Sequence, residues 1–171
     1  MREIYPGVSY IVTVATWGHA DLLPSDKHKA VILQRILGAA ARFCPLDFAI
    51  MSDHYHLWFD SDHTAHIPDV VRWISGGGTF ALHQQGLCRG RVFETSHLTY
   101  VKQAFGSDRA RGYVVGNPFK HQEVSSIHNL KRYPFSSFGI ICKQEGIIQA
   151  KELVFSSVSF EDDQLGIPEA G

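Results

Sequence analysis

Residues 8–17 (VSYIVTVATW) alternate roughly between apolar and polar positions and are rich in β-branched and aromatic side chains, which predicts a first strand. After a loop through Leu23 and Pro24, Ser25 is placed to cap a helix with Asp26 in its first turn. That helix runs to Phe43 with Ala30, Ile32, Leu33, Ile36, Leu37, Ala40 and Phe43 on its apolar side, and Cys44-Pro45 stops it. Two short apolar runs follow, residues 46–51 (LDFAIM) and 54–59 (HYHLWF), with Ser52-Asp53 between them as turn chemistry. The order so far is strand, helix, strand, strand. In the second arm of this hairpin His54, His56 and Trp58 share one face, while Tyr55, Leu57 and Phe59 share the other.

Further along, residues 68–74 (PDVVRWI) open another helix with proline in a favoured first-turn position. The three glycines of SGGGTF then predict a break or hinge, since each costs about 1 kcal/mol in a helix interior. No strand precedes these glycines and no Gly-Lys-Ser/Thr follows, so they are not a phosphate-cradling loop. Residues 90–105 (GRVFETSHLTYVKQAF) contain short extended pieces. Residues 107–117 (SDRARGYVVGN) read as a helix ended by Pro118, although Gly112 and Gly116 weaken that reading and Tyr-Val-Val suits a strand. A basic connection, the compact segment YPFSSFGIIC and a polar tail complete the chain. This pattern predicts one domain over 1–150 and an acidic, partly disordered tail over 151–171.

The 171 residues are 44% hydrophobic and 19% charged, which suits a single globular domain. No run approaches the length of a membrane span, and the N-terminal apolar stretch lacks a cleavage site. Cys44, Cys88 and Cys142 are odd in number and without paired spacing, so free thiols in a reducing cytoplasm are expected. The net charge of -1 hides an asymmetry: the last 21 residues carry one Lys against five acids, leaving 15 basic against 12 acidic residues before them. Between 89 and 132 the ratio is eight basic (Lys102 among them) to three acidic. Such a stretch suits phosphate contacts, and Arg89, Arg91, Arg111 and Lys120 are the residues expected to make them.

Two imidazoles on one strand face gain chemical meaning only with a third ligand. If His54, His56 and Asn117 converge, they form an open divalent-metal site able to act as a Lewis acid on a phosphoryl group. Tyr113, one helical turn before Asn117, would then stand beside that phosphate as a nucleophile. A free tyrosine is only about one part in a thousand ionised at neutral pH, so its attack requires neighbours that take the proton or stabilise the phenolate. Asp53, adjacent to His54, would either orient that ligand or repel a phosphate.

The HYH strand after AIMSD, then GRVFE, GYVVGNPFKH and YPFSSF in that order across residues 49–138, resemble the single-tyrosine HUH transposases, in particular the REP-associated tyrosine transposases. The resemblance implies an α/β ferredoxin-like fold, an antiparallel sheet with helices on one face. It implies Tyr113 as nucleophile and His54, His56 and Asn117 as ligands of Mg²⁺ or Mn²⁺. The substrate it implies is single-stranded DNA cut near hairpins, with a 5'-phosphotyrosine intermediate and a free 3'-hydroxyl. Because histidine binds metal only when neutral, activity is expected to fall below about pH 6. The chain departs from the family pattern at Phe119, at HQE after Lys120, and at SGGGTF, where the family often carries a basic helix. Two other readings stand beside this one: a domesticated protein that binds hairpins in single-stranded DNA or RNA without cutting, and a metal-dependent hydrolase in which water attacks. Monomer and homodimer are both compatible with the sequence.

Overall fold

The first strand, β1 (Tyr10–Ala15), is the centre on which the other elements pack. The computed structural model describes residue 4, residues 7–101 and residues 106–158. Helix α1 (Asp26–Arg42) follows β1 and leads to the hairpin of β2 (Asp47–Ile50) and β3 (His54–Phe59). Strand β4 (His97–Tyr100) adds to the far side of β1, giving an antiparallel sheet in the order β2-β3-β1-β4. This is the ferredoxin-like arrangement the resemblance implied.

One face of the sheet is apolar throughout. Tyr10, Val12 and Val14 of β1 and Tyr55, Leu57 and Phe59 of β3 pack there against Ile32 and Ile36 of α1 and Ile67, Val70, Ile74 and Leu82 beyond β3. These last four belong to α2 (Ile67–Val71), a π-helical turn (Arg72–Gly76) and α3 (Gly77–Gln84), which follow one another without interruption. The break expected at SGGGTF is therefore absent. Tertiary packing overrides propensity here: a Cβ at Gly78 would lie 2.8 Å from Ile32 Cδ1, so the missing side chain lets the helix approach α1. The wide turn also brings the Ser75 hydroxyl to 2.6 Å from the Tyr55 hydroxyl, satisfying the polar end of a buried ring.

The opposite face receives α4 (Ser107–Lys120), through Ala110 and Val114 packed with Ile11, Val101, Trp58 and Tyr113. The sheet thus has helices on both faces, not on one as the resemblance implied, because α4 covers the histidine side. Helix α4 runs three residues beyond the expected stop, with Pro118 inside its last turn. Its two glycines have a clear cause: a Cβ at Gly112 would stand 2.0 Å from the Leu153 carbonyl oxygen, and one at Gly116 would stand 2.9 Å from Val154 Cγ1. Leu153 and Val154 lie in α7 (Ile147–Val158), which crosses α4 at this close approach and buries Ala150 and Val154. The domain therefore continues past the boundary expected at 150, and residues 151–158 form part of its core helix rather than a tail. Residues 159–171, the rest of the expected tail, and Lys102 lie outside the described residues.

Between α4 and α7 come α5 (Ile127–Arg132) and α6 (Phe138–Gln144). The YPFSSF segment between them lies along the outer edge of β2: Ile50 N donates to Phe135 O at 2.8 Å, Ser137 N to Phe48 O at 3.0 Å, and Ala49 bridges Ser136. Ser136 Oγ also donates to Val115 O of α4 at 2.8 Å. The two serines thus join the sheet edge to the helix above it.

Candidate active site

Strand alternation turns His54 and His56 away from the apolar core and toward α4, with their ring centroids 4.7 Å apart. Each ring is fixed through Nδ1. His54 Nδ1 lies 2.5 Å from Asp53 Oδ1, and His56 Nδ1 lies 2.8 Å from Thr13 Oγ1 on the paired position of β1. The Asp53 carboxylate can only accept, so it takes the Nδ1 proton of His54 and leaves Nε2 outward; the Thr13 hydroxyl can accept the Nδ1 proton of His56 in the same way, the arrangement that orients histidine ligands in metal sites. Asp53 acts as an orienting group, one of the two roles its position suggested. His56 is 5% exposed. Burial, then the neighbouring His54, His121 and Lys120, push its pKa well below the ordinary histidine value, against an opposing interaction with Asn117. It is neutral at physiological pH.

Asn117 comes to the same place from α4. It is fully buried, its Nδ2 donates to Tyr113 O at 3.4 Å, and its Oδ1 has no hydrogen-bond partner. A buried amide oxygen without a partner costs about 1–3 kcal/mol. Near His56 it is an oxygen acceptor left open to a ligand. Among the described residues no three His, Cys, Asp or Glu side chains are grouped to hold a metal ion, so a metal at the two histidines would need a third donor of another type, and the Asn117 amide oxygen is of such a type. The donor set, two imidazole nitrogens and one amide oxygen with open positions, fits a divalent cation.

Tyr113 lies one turn earlier on the same helix, its ring centroid 5.9 Å from that of His56. Lys120 Nζ stands 4.7 Å from the centre of the tyrosine ring. His121, the residue that ends α4, lies with its ring 5.4 Å from His54. Neither His121 nor the position of Lys120 over the tyrosine was evident in the sequence; the only signal was HQE where the family pattern differs.

Three ion pairs, partly buried, brace α4 and the turn beyond it over the histidines. Arg111 binds Asp47 of β2 at 2.5 Å and Glu145 at 2.7 Å. Beyond the other end of the helix, Glu123 accepts from Lys29 of α1 at 2.6 Å and from the Ser52 backbone N–H at 2.9 Å, in the turn just before the histidines. Lys29 also reaches Tyr133, whose hydroxyl donates to Ile50 O at 2.9 Å. The guanidinium of Arg111, expected to contact phosphate, is engaged in this structure by the carboxylates of Asp47 and Glu145. Arg89, Arg91 and Lys120 are exposed.

No helix among the described residues is long and apolar enough to cross a membrane. Neither a protein-family model nor a curated protein sequence matches the chain. Among solved structures, a REP-associated tyrosine transposase bound to a REP hairpin is similar, with a TM-score of 0.54 and 16% identity over 85% of each chain. At that identity the likeness is one of fold: a four-stranded antiparallel sheet with helices, arranged as in that solved structure.

Proposed function

We propose that this protein is a single-strand DNA endonuclease and strand transferase that works through a covalent tyrosine intermediate, acting on DNA that carries hairpins. The observation that carries the reading is the unpartnered Asn117 oxygen, buried beside two histidines that present Nε2 and one turn from Tyr113. A bound Mg²⁺ or Mn²⁺ would supply charge to polarise the scissile phosphate. His54, His56 and Asn117 would hold it, with Asp53 keeping the Nδ1 proton on His54 and Thr13 accepting that of His56. The Tyr113 oxygen attacks phosphorus, the bond from phosphorus to the 3'-oxygen breaks, and the phenolic proton leaves while the 3'-oxygen gains one. Lys120 favours the phenolate by its charge over the ring. The phosphotyrosine diester keeps the energy of the broken linkage, so a 3'-hydroxyl can reverse the step and join strands.

The test is incubation with labelled, hairpin-bearing single-stranded DNA and Mn²⁺ or Mg²⁺, followed by denaturing electrophoresis. The expected result is a protein-DNA adduct that disappears with chelator and falls about a thousandfold or more in Tyr113→Phe, the scale seen when a covalent nucleophile is removed. An adduct that persists in Tyr113→Phe overturns the reading; binding without any adduct favours a non-cleaving hairpin binder. For the DNA contacts, Arg89→Gln, Arg91→Gln and Lys120→Gln should each lower the slope of log affinity against log salt by about 0.7–0.9. Arg111→Gln should leave that slope unchanged.

A further inference from the structure

Just past the end of β1, the chain makes a single 3₁₀ turn (Trp17–His19) that leaves the Trp17 indole 49% exposed. This turn is pinned on several sides. Thr16 N and Thr16 Oγ1 donate to Asp53 O at 2.7 and 2.9 Å, Trp17 N donates to Val92 O at 2.8 Å, and Gly18 N donates to Glu94 Oε1 at 2.9 Å. Gly18 and the non-glycine His19 both take left-handed backbone angles, with φ of 66° and 52°. A surface loop that holds a residue in such a conformation is over-determined by its surroundings, and ligand-gripping segments are where this is commonly found. The Arg91 guanidinium lies over the indole, 3.8 Å from the ring centre, and its Nε donates to Phe93 O.

The residue to which this turn is fastened is Asp53, the one that orients His54. An exposed aromatic plane is thus fixed at the histidine end of the sheet, with a cation on it and the exposed Arg89 close in sequence. The nearby carboxylate, Glu94, is engaged by the Gly18 N–H. Flat apolar surface and positive charge in one rigid unit match the two faces of a nucleotide, base and phosphate. We infer that Trp17 and Arg91 form a stacking platform for one unpaired base of the single-stranded DNA entering the active site. The inference rests on the function proposed above and adds a site for the strand outside the reacting phosphate.

The experiment measures binding of a labelled, mixed-sequence single-stranded oligonucleotide to the full chain by fluorescence anisotropy, with chelator present to prevent cleavage. Trp17→Leu, which keeps apolar cover and removes the aromatic plane, should weaken binding about 5- to 150-fold, and Trp17→Phe should weaken it much less. Scanning an abasic site along the oligonucleotide should find one position that costs affinity in the wild type and not in Trp17→Leu. In the unmodified protein, DNA should shield the exposed indole from acrylamide quenching, a readout that needs no variant to fold. Equal binding by Trp17→Leu, or no shielding by bound DNA, overturns the platform. If the wild type forms the Tyr113 adduct while either of those results holds, the platform alone fails. If the wild type binds no single-stranded DNA, the proposed function fails with it.

Discussion

The two faces of β3 are built to different rules. On one, Tyr55, Leu57 and Phe59 are fully buried in an apolar core, where the buried Tyr55 hydroxyl has a partner. On the other, His56 is buried in its neutral form, and the buried Asn117 Oδ1 and Trp58 Nε1 have no hydrogen-bond partner. Successive residues of a six-residue strand therefore serve stability and position in alternation. The core face gains free energy from every contact, whereas the histidine face gives some up by leaving buried polar atoms unpaired.

That contrast can be broken by mutation. Leu57→Ala should lower stability by about 2–5 kcal/mol in denaturant unfolding, as a cavity in a closed apolar core does. Gly112→Ala should cost about 1–3 kcal/mol, because the added methyl meets the α7 backbone, although the same change in an isolated helix would stabilise it. Asn117→Leu should stay within about 1 kcal/mol of wild type, since it removes an unpaired buried oxygen without leaving a hole. Mn²⁺ bound at the proposed site should raise the melting temperature of the wild type, and the same variant should lose that rise. A loss at Asn117 as large as that at Leu57 would mean the two faces follow one rule.

The smallest effect concerns pH. Burial alone would raise the Glu123 carboxyl, but its bonds to Lys29 and to the Ser52 N–H outweigh this and hold it below the ordinary value of 4.5. Because the folded value is depressed, this contribution is complete above the unfolded pKa and is lost as pH falls through the folded one. Glu123→Gln should therefore flatten the acid side of the stability profile and leave the neutral part of its slope unchanged. An unaltered acid limb would show that Glu123 titrates alike in both states.

Local pattern carried β1, α1 and the hairpin, since strand alternation and a capped amphipathic helix are properties of neighbouring residues. The fold beyond them came from the resemblance, while Tyr113 and Asn117 are candidates by helical spacing as well as by resemblance; the structure brings Tyr113 close to His56 and places Asn117 one turn along the same helix. The misreadings all concern contacts between distant segments. Gly78, Gly112 and Gly116 look like helix breakers until Ile32, Leu153 and Val154 are placed against them. Arg111 looks like a surface cation until Asp47 and Glu145 surround it, and the helix past residue 150 is recognisable only from the groove it fills on α4. Thr13 lies 43 positions from His56, so no local pattern could have paired them.

The segment from Phe135 to Ser137 has a consequence for how the molecule can meet its own copies. By hydrogen-bonding along β2 it occupies donors and acceptors that an outer strand would otherwise offer to a neighbour. The other margin of the sheet is β4, four residues long, with His97 and Tyr100 exposed. Growth of the sheet from one protomer into the next is closed on the β2 side; among the described residues, β4 is the margin where such growth would have to begin.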